Sequence, residues 1–222
     1  MIIGNGLVAN SLKSIDSENI LFFASGVSNS LETRDSEFER EFSLLKASIA
    51  SNPQNKLIYF STLSINDQSK QNSPYVIHKR KIENFIKTNC EKYLILRIGN
   101  IVGNGGNPNT LFNYLKTQII NQNQFTLHSK ARRLLIDIDD IPKFLESNCI
   151  DVENQIINCA FPYYYNLKEI IETIENEADK KAEYKEVDEG DFYLVDFDSL
   201  IKSFFLQTTS EQYLKVLTKK YF

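Results

Sequence analysis

Tyr75 and Lys79, in the stretch "SPYVIHKRKIENFI", lie one helical turn apart and have the types needed for proton transfer. Tyrosine has a reference pKa of about 10, and a lysine cation beside it favours the phenolate. Such a phenol can give or take the proton of a carbinol while hydride moves at the adjacent carbon. The spacing alone says little, since roughly one Tyr-x-x-x-Lys is expected by chance in a lysine-rich chain with eleven tyrosines. A second pair, Tyr164 and Lys168, is indeed present. The surroundings separate the two. Tyr75 follows the apolar run "KLIYFST" by a short loop, and Thr62 ends that run. In a parallel sheet the C-terminal strand edge is the ligand side. A threonine hydroxyl, a phenol and an ammonium can converge there, with Thr62 holding the substrate oxygen. Tyr164 and Lys168 have no such strand beside them and are read as structural, with Lys168 in the first turn of an exposed helix. The Tyr163–Tyr165 cluster either lines the substrate end or packs.

A second motif opens the chain. "GNGLVA" supplies Gly4, Gly6 and Ala9, the G-x-G-x-x-A form of a dinucleotide fingerprint. Gly4 permits a tight turn, Gly6 lets backbone N–H groups approach a pyrophosphate, and Ala9 lets the helix pack close to the strand. The phosphates then meet a helix N-terminus, where free N–H groups and the dipole favour anions. The bland alternative is a tight strand-to-helix turn. The acid that normally binds the ribose hydroxyls, roughly 20 residues further on, has no counterpart in "FFASGV". The usual second strand is missing, so weaker or more exposed binding is expected at the adenosine end.

The elements that must position these residues alternate. "MIIG", "NILFFAS", "KLIYFST" and "YLILRIGN" are continuous apolar runs, the pattern of strands buried on both faces. Helices are expected at 7–15, 36–52, 73–89 and 109–122, with Ser73 as N-cap and Pro74 at the first helical position. Phe38, Phe42, Leu45 and Ile49 share one face of the second helix, and Asn52-Pro53 ends it. "RRLLIDIDDIPKFLES" reads as a short strand leading into a helix, and 166–178, 199–204 and 210–222 as further helices. This order implies an α/β, doubly wound parallel sheet with right-handed crossovers and "MIIG" at its centre. The expected organisation is one Rossmann-like domain over residues 1–222, truncated, with about 160–222 forming a small C-terminal substrate-binding part.

Composition excludes several classes. A net charge of −4 gives no basic footprint, so nucleic acid is not expected as a partner. No run reaches the roughly 18 apolar residues of a membrane helix, and no signal peptide is expected. Cys90, Cys149 and Cys159 lack metal-type spacing and read as reduced core or near-core thiols of a cytoplasmic protein. No metal site is expected. The acidic stretch "EVDEGD", 186–191, reads as an exposed loop. His78 points about 100° away from Lys79 around the helix and reads as a surface residue; His128 reads as part of a polar loop. Arg97 is as readily a structural ion pair as a ligand contact. Asp139 and Asp140 are read as helix caps.

Taken in order, these stretches resemble the extended short-chain dehydrogenase/reductases that act on nucleotide sugars. "GNGLVA" matches the glycine motif, and "ILFFASGVSNS" resembles the family's fourth strand and cofactor-lining loop, which implies that Ser25 and Gly26 line the cofactor. "YFSTLSIND" aligns Thr62 with the catalytic Ser/Thr. "SPYVIHKRKIE" resembles the S-P-Y-x-x-x-K-x-x-x-E helix, Glu83 included. "ILRIGNIVGNG" resembles L-R-x-x-N-x-Y-G, placing Asn100 at a substrate contact. "RLLIDIDDI" matches R-x-F-x-x-V-x-D-V, with Arg133 at a substrate-phosphate position and Asp140 at the structural acid. Six motifs in the right order are more specific than any one.

The resemblance implies an NAD- or NADP-dependent reductase or epimerase of a nucleotide-linked sugar. It is most similar to the small 4-keto sugar-nucleotide reductases of bacterial capsule and surface polysaccharide synthesis. A homodimer is compatible with this reading. The departures are the missing second-strand region, Ile65-Asn66-Asp67 in place of V-Y-G, and Val102 in place of the tyrosine of N-x-Y-G. They favour a second reading, a cofactor-free, non-catalytic relative that binds a nucleotide sugar or a partner enzyme.

Overall fold

Apolar runs that can leave neither face in water become central strands of a parallel sheet, covered by helices on both sides. The computed structural model describes residues 1–105, 108, 110–148, 151–190 and 192–222; Asn109, Cys149 and Asp191 of the readings above lie outside them. The chain begins with β1 (Ile2–Ile3), α1 (Leu7–Ser11) with a 3₁₀ turn at Leu12–Ile15, β2 (Ile20–Phe23), α2 (Asp35–Ser51), β3 (Lys56–Thr62), α3 (Pro74–Asn89) and β4 (Tyr93–Ile98). It continues with β5 (Asn100–Val102), α4 (Leu111–Ile120), β6 (Phe125–His128), β7 (Arg132–Arg133), β8 (Leu135–Asp137), α5 (Asp140–Asn148) and β9 (Gln155–Cys159). It closes with β10 (Tyr165–Asn166), α6 (Leu167–Ala178), β11 (Tyr184–Val187), α7 (Ser199–Phe204) and α8 (Ser210–Tyr221). Among the described residues no helix is long and apolar enough to cross a membrane.

The main sheet is Rossmann-like, with strand order β1-β2-β3-β4-β9 and every pair parallel. Side chains alternate across its pleat. Leu21, Phe23, Leu57, Tyr59 and Ile95 face α2 and α3, where they meet Leu45, Ile82 and Ile86. Phe22, Ile58, Leu94, Leu96 and Ile157 face the other way, towards Leu12 after α1 and Ile141 and Phe144 of α5. Three short ladders lie beyond: β5 with β8 and β6 with β11, both parallel, and β7 with β10, antiparallel.

Two expectations about the sheet need correction. β1 is its edge, and Ile2 and Ile3 are only half-buried. The chain passes from Ile15 to β2 within four residues, which leaves no segment to form a strand on the far side of β1. The crossovers also differ from expectation. Successive parallel strands all step in one direction, yet the α1 and α5 connections cross one face and the α2 and α3 connections the other. The two sets therefore have opposite hands, and not all can be right-handed.

Local signals elsewhere act as the sequence implies. Ser73 accepts a hydrogen bond from the Val76 N–H at 3.2 Å, with Pro74 at the first turn. Asn166 and Glu169 form a reciprocal capping box on α6. The short strands β5, β6, β9, β10 and β11 have no counterpart in the sequence reading. Glu186 and Val187 belong to β11 and His128 to β6, so neither stretch is wholly loop. Asp139 and Asp140 do not cap α5 with their carboxylates. Buried Asp137 instead accepts from the Asp139 N–H at 2.9 Å, which shapes the turn that leads into α5.

Asp137 also anchors the C-terminal helix. Its carboxylate accepts from the Tyr221 hydroxyl and, at 2.7 Å, from the Lys220 ammonium; its N–H donates to the Tyr213 hydroxyl at 2.8 Å. Lys220 also reaches Asp139 at 2.8 Å. Removing one partner of a buried, hydrogen-bonded charge leaves the others desolvated and unpaired. Asp137→Ala is expected to cost about 3 kcal/mol in urea unfolding, and Lys220→Met, at a partly exposed site, under about 1 kcal/mol. Equal costs would show that the carboxylate does not hold α8.

Candidate functional site

Backbone geometry at the end of β1 shapes the first wall of a cleft. Gly4 has φ +132°, and a Cβ there would lie 2.5 Å from the Ala24 carbonyl oxygen, so this turn requires glycine. Gly6 precedes α1 and no side chain caps that helix. A Cβ on Gly6 would meet nothing within 4 Å. Open space therefore lies before uncapped N–H groups, a setting that suits the oxygens of a diphosphate. Ala9 is 2% exposed, the small residue under the turn.

The cleft measures about 650 Å³ and runs along the C-terminal strand ends. Gly6, Ser25, Gly26, Thr62, Tyr75, Lys79 and Asn100 all line it. Gly4 and Ala9 shape the turn without lining the cleft. A second lobe of about 340 Å³ adjoins it and holds Arg133, together with Arg132, Lys70 and Tyr164. Tyr75, Ser64, Asn100 and Tyr193 line both lobes, so Tyr75 stands at the junction.

Each reactive side chain is held differently. Tyr75 is 7% exposed and packs with Val27, Phe38, Ile65 and Val76. Among the described residues its hydroxyl makes no hydrogen bond to protein, unlike the hydroxyls of Tyr59 and Tyr164. Thr62 Oγ1 accepts from the Ser64 N–H at 3.2 Å, which leaves its own O–H to donate. Asn100 donates from both its backbone N–H and Nδ2 to the Leu134 carbonyl, at 2.8 and 3.1 Å. Arg133 Nη1 donates to the Arg132 carbonyl at 2.8 Å. Tyr193 is pushed up to about 12 by burial and by the Asp67 charge.

Lys79 is more deeply engaged than its spacing implies. Its ammonium lies 5.7 Å from the centre of the Tyr75 ring, but it donates to Glu41 Oε1 at 2.9 Å and to the Tyr59 hydroxyl at 3.0 Å. Glu41 is wholly buried. Its Oε1 also accepts from the Tyr59 hydroxyl at 2.6 Å, and its Oε2 accepts from the Val27 N–H at 2.7 Å. His78 Nε2 stands 3.0 Å from the same Oε2 and stacks on Phe38. The surface reading of His78 is thus wrong: its ring is 6% exposed and belongs to this cluster. Burial by itself would raise the Glu41 pKa. The Lys79 charge and the hydrogen bonds from His78, Tyr59 and Val27 outweigh it and hold the carboxyl at about 2. Burial and the Glu41 charge push the Tyr59 phenol well above its ordinary value.

Other candidates fall outside the cleft chemistry. Arg97 forms a two-pronged ion pair with Glu83 at 3.0 and 2.7 Å, and Ser61 donates to the same carboxylate at 2.7 Å. This fixes α3 to β3 and β4. The Tyr164 hydroxyl accepts from the Val195 N–H at 2.7 Å, while Lys168 pairs with Glu186 at 2.8 Å on the surface. Cys159 is buried in the core, and burial pushes the half-buried Cys90 thiol up to about 11. Glu41, Arg40, Arg132 and Tyr193 were not singled out from sequence. A charge at Glu41, three residues past Phe38 and four before Leu45, was the available signal for the first. Tyr193 lies in irregular chain and gave none.

No protein-family model and no curated protein matches the sequence. Solved structures do. UDP-N-acetylglucosamine 4-epimerase from Methanobrevibacter ruminantium, in complex with UDP-N-acetylmuramic acid, superposes with a TM-score of 0.70 at 18% identity, over 99% of this chain and 81% of that one. UDP-glucose 4-epimerase from Thermotoga maritima, with UDP-glucose, gives 0.71 at 16%, over 98% and 82%. dTDP-glucose 4,6-dehydratase from Bacillus anthracis, in complex with NAD, gives 0.69 at 16%, over 91% and 72%. At these identities the likeness establishes the fold.

The buried carboxylate gives a pH test. Its folded pKa of about 2 lies below the ordinary 4.5, so its contribution is fully present above pH 4.5 and is lost as pH falls towards 2. Glu41→Gln is expected to lower the thermal midpoint at pH 7, by an amount corresponding to about 3–5 kcal/mol. Its difference from wild type should shrink between pH 4.5 and 2. A difference that stays constant across that window would mean the carboxylate charge is not what stabilises the cluster.

Proposed function

We propose that the chain is an NAD(P)-dependent enzyme of the extended short-chain dehydrogenase/reductase type, acting on a nucleotide-linked sugar. The observation that carries this reading is the position of Tyr75. It stands between a lobe that runs to the glycine turn and a lobe lined by Arg132 and Arg133. The likeness in fold to nucleotide-sugar epimerases and dehydratases, including complexes with NAD and with UDP-glucose, supports it.

The residues present fit a dinucleotide. The open space at Gly6 and the uncapped start of α1 suit its diphosphate, and Ser25 and Gly26 would flank it. A bound nicotinamide dinucleotide would supply or accept the hydride. The chain's own groups do the rest. In the reductive direction Tyr75 gives its phenolic proton to the carbonyl oxygen as the carbon is reduced, then regains a proton from solvent. Thr62 donates a hydrogen bond to the same oxygen. Lys79 stands one turn further along α3, its ammonium 5.7 Å from the centre of the Tyr75 ring and paired with Glu41. Asn100 and Arg133 hold the sugar nucleotide, and the C-terminal part from about residue 160 contributes Tyr164 and Tyr193 to that lobe. Reduction of a 4-keto sugar nucleotide in surface polysaccharide synthesis is the specific form proposed.

A second reading is a cofactor-free relative that binds a nucleotide sugar or partner enzyme. The edge position of β1, with no strand on its far side, favours it. Mass spectrometry of the purified protein for bound nucleotide separates the two.

The catalytic reading is tested by turnover of a 4-keto sugar nucleotide. Tyr75→Phe should keep the fold and substrate affinity while losing on the order of 10² to 10⁴ in rate, about 3 to 5 kcal/mol. Tyr164→Phe keeps the ring that lines the second lobe and loses only a hydroxyl tied to the Val195 N–H, so it should change turnover little. Equal activity in the two variants would remove Tyr75 from the chemistry.

A further inference from the structure

The two nicotinamide dinucleotides differ only at the adenosine ribose, which carries a 2′-hydroxyl in one and a 2′-phosphate in the other. A carboxylate accepts from the ribose hydroxyls and repels the phosphate, whereas an arginine accommodates the phosphate. The cleft wall can therefore be read for this choice. Among the described residues that line the 650 Å³ cleft there is no aspartate and no glutamate. Two cations line it, Lys79 and Arg40. The Lys79 charge is matched inside the fold by the buried Glu41 carboxylate.

Arg40 is the other cation. It projects from α2 with its side chain 46% exposed, and its Nε pairs with Glu37 at 3.1 Å. Glu37 is not part of the cleft wall and is shared with Arg34, 4.0 Å away. Nη1 of Arg40 points to Ser25, 3.3 Å from the carbonyl oxygen and 3.5 Å from Oγ. Ser25 follows β2, the strand paired with the β1 that leads into the glycine turn. Arg40 lines the glycine-turn lobe and not the Arg133 lobe. With the reactive end of a dinucleotide at Tyr75, the junction of the lobes, this cation is left for the adenosine end. The second-strand residue that usually makes this choice is missing from the chain.

We propose that Arg40 receives the 2′-phosphate of NADP(H), so that the cleft prefers the phosphorylated cofactor. This inference rests on the dinucleotide reading given above. It goes further by assigning the cofactor class and the residue that selects it, from a helix on the opposite face to α1 rather than from a second strand.

Calorimetric titration of the full chain with NADPH and with NADH, at one fixed ionic strength, tests it. Wild type should bind NADPH on the order of 10- to 100-fold more tightly, the scale of a charge-assisted hydrogen bond. Arg40→Gln should lose most of that preference by weakening NADPH alone, and Arg40→Lys should recover part of it. Adenosine 2′,5′-bisphosphate, compared with adenosine 5′-monophosphate, should show the same pattern without any nicotinamide. Equal weakening of NADPH and NADH in Arg40→Gln would put Arg40 on the diphosphate and overturn the assignment. A wild-type preference for NADH would overturn it too. Binding of neither dinucleotide would remove the cofactor reading itself, and this inference with it. Thermal unfolding of each variant checks that the half-exposed substitution leaves the fold intact.

Discussion

One buried carboxylate holds together the half of the fold that carries Tyr75. Glu41 has no exposed surface, and an ion so placed is tolerated only when its lone pairs are met by donors. Four groups meet them: the Val27 N–H from the loop after β2, the Tyr59 hydroxyl from β3, and His78 and Lys79 from α3. The helix carrying Tyr75 is thereby tied to the loop that borders the glycine-turn lobe. Gly26 belongs to the same constraint. A Cβ there would stand 2.8 Å from the Lys79 ammonium and 3.0 Å from Glu41 Oε1, so the close approach of the loop depends on a residue without one. Lys79, which its spacing alone would pair with Tyr75, is bound instead into the architecture through Glu41 and Tyr59.

The rest of the architecture follows from a short first crossover. With β1 at the sheet edge, the cleft has strand ends on only one side of the glycine turn. The α1 and α2 layers lie on opposite faces although consecutive strands step the same way, a combination that a plain succession of strand–helix–strand units would not give. Two further ion pairs tie helices to strands. The Arg97–Glu83 pair locks α3 against the sheet, and Asp137 secures α8 through Tyr221 and Lys220. The second lobe is thus framed by segments far apart in sequence: β7, the Tyr164 segment before β10, and the irregular chain around Tyr193.

The main strands and most helices were legible because their signals are local. Continuous apolar runs at "ILFF", "KLIYFST" and "YLILRI" have few alternatives to a doubly covered strand. Ser73-Pro74 and Asn166 mark helix starts through bonds spanning three residues. The strand-end threonine and the Tyr75–Lys79 spacing are local as well. By contrast, β9 completes the main sheet with only five residues, of which two are buried, too weak a pattern to stand out alone.

What the sequence determined by itself was the set of reactive types and the elements that carry them: the glycine turn, Thr62 at a strand end, Tyr75 and Lys79 on one helix face. The tertiary structure alone decided their electrostatic setting. Lys79 finds Glu41 across 38 positions of chain, and His78, which helical geometry directs away from Lys79, is turned inward to the same carboxylate. Strand order is likewise non-local, since no residue within "MIIG" records that the strand beyond it is missing. Periodicity and capping act over a turn or two of backbone. The partners of a buried charge, and the edge of a sheet, are fixed only when the whole chain has closed around them.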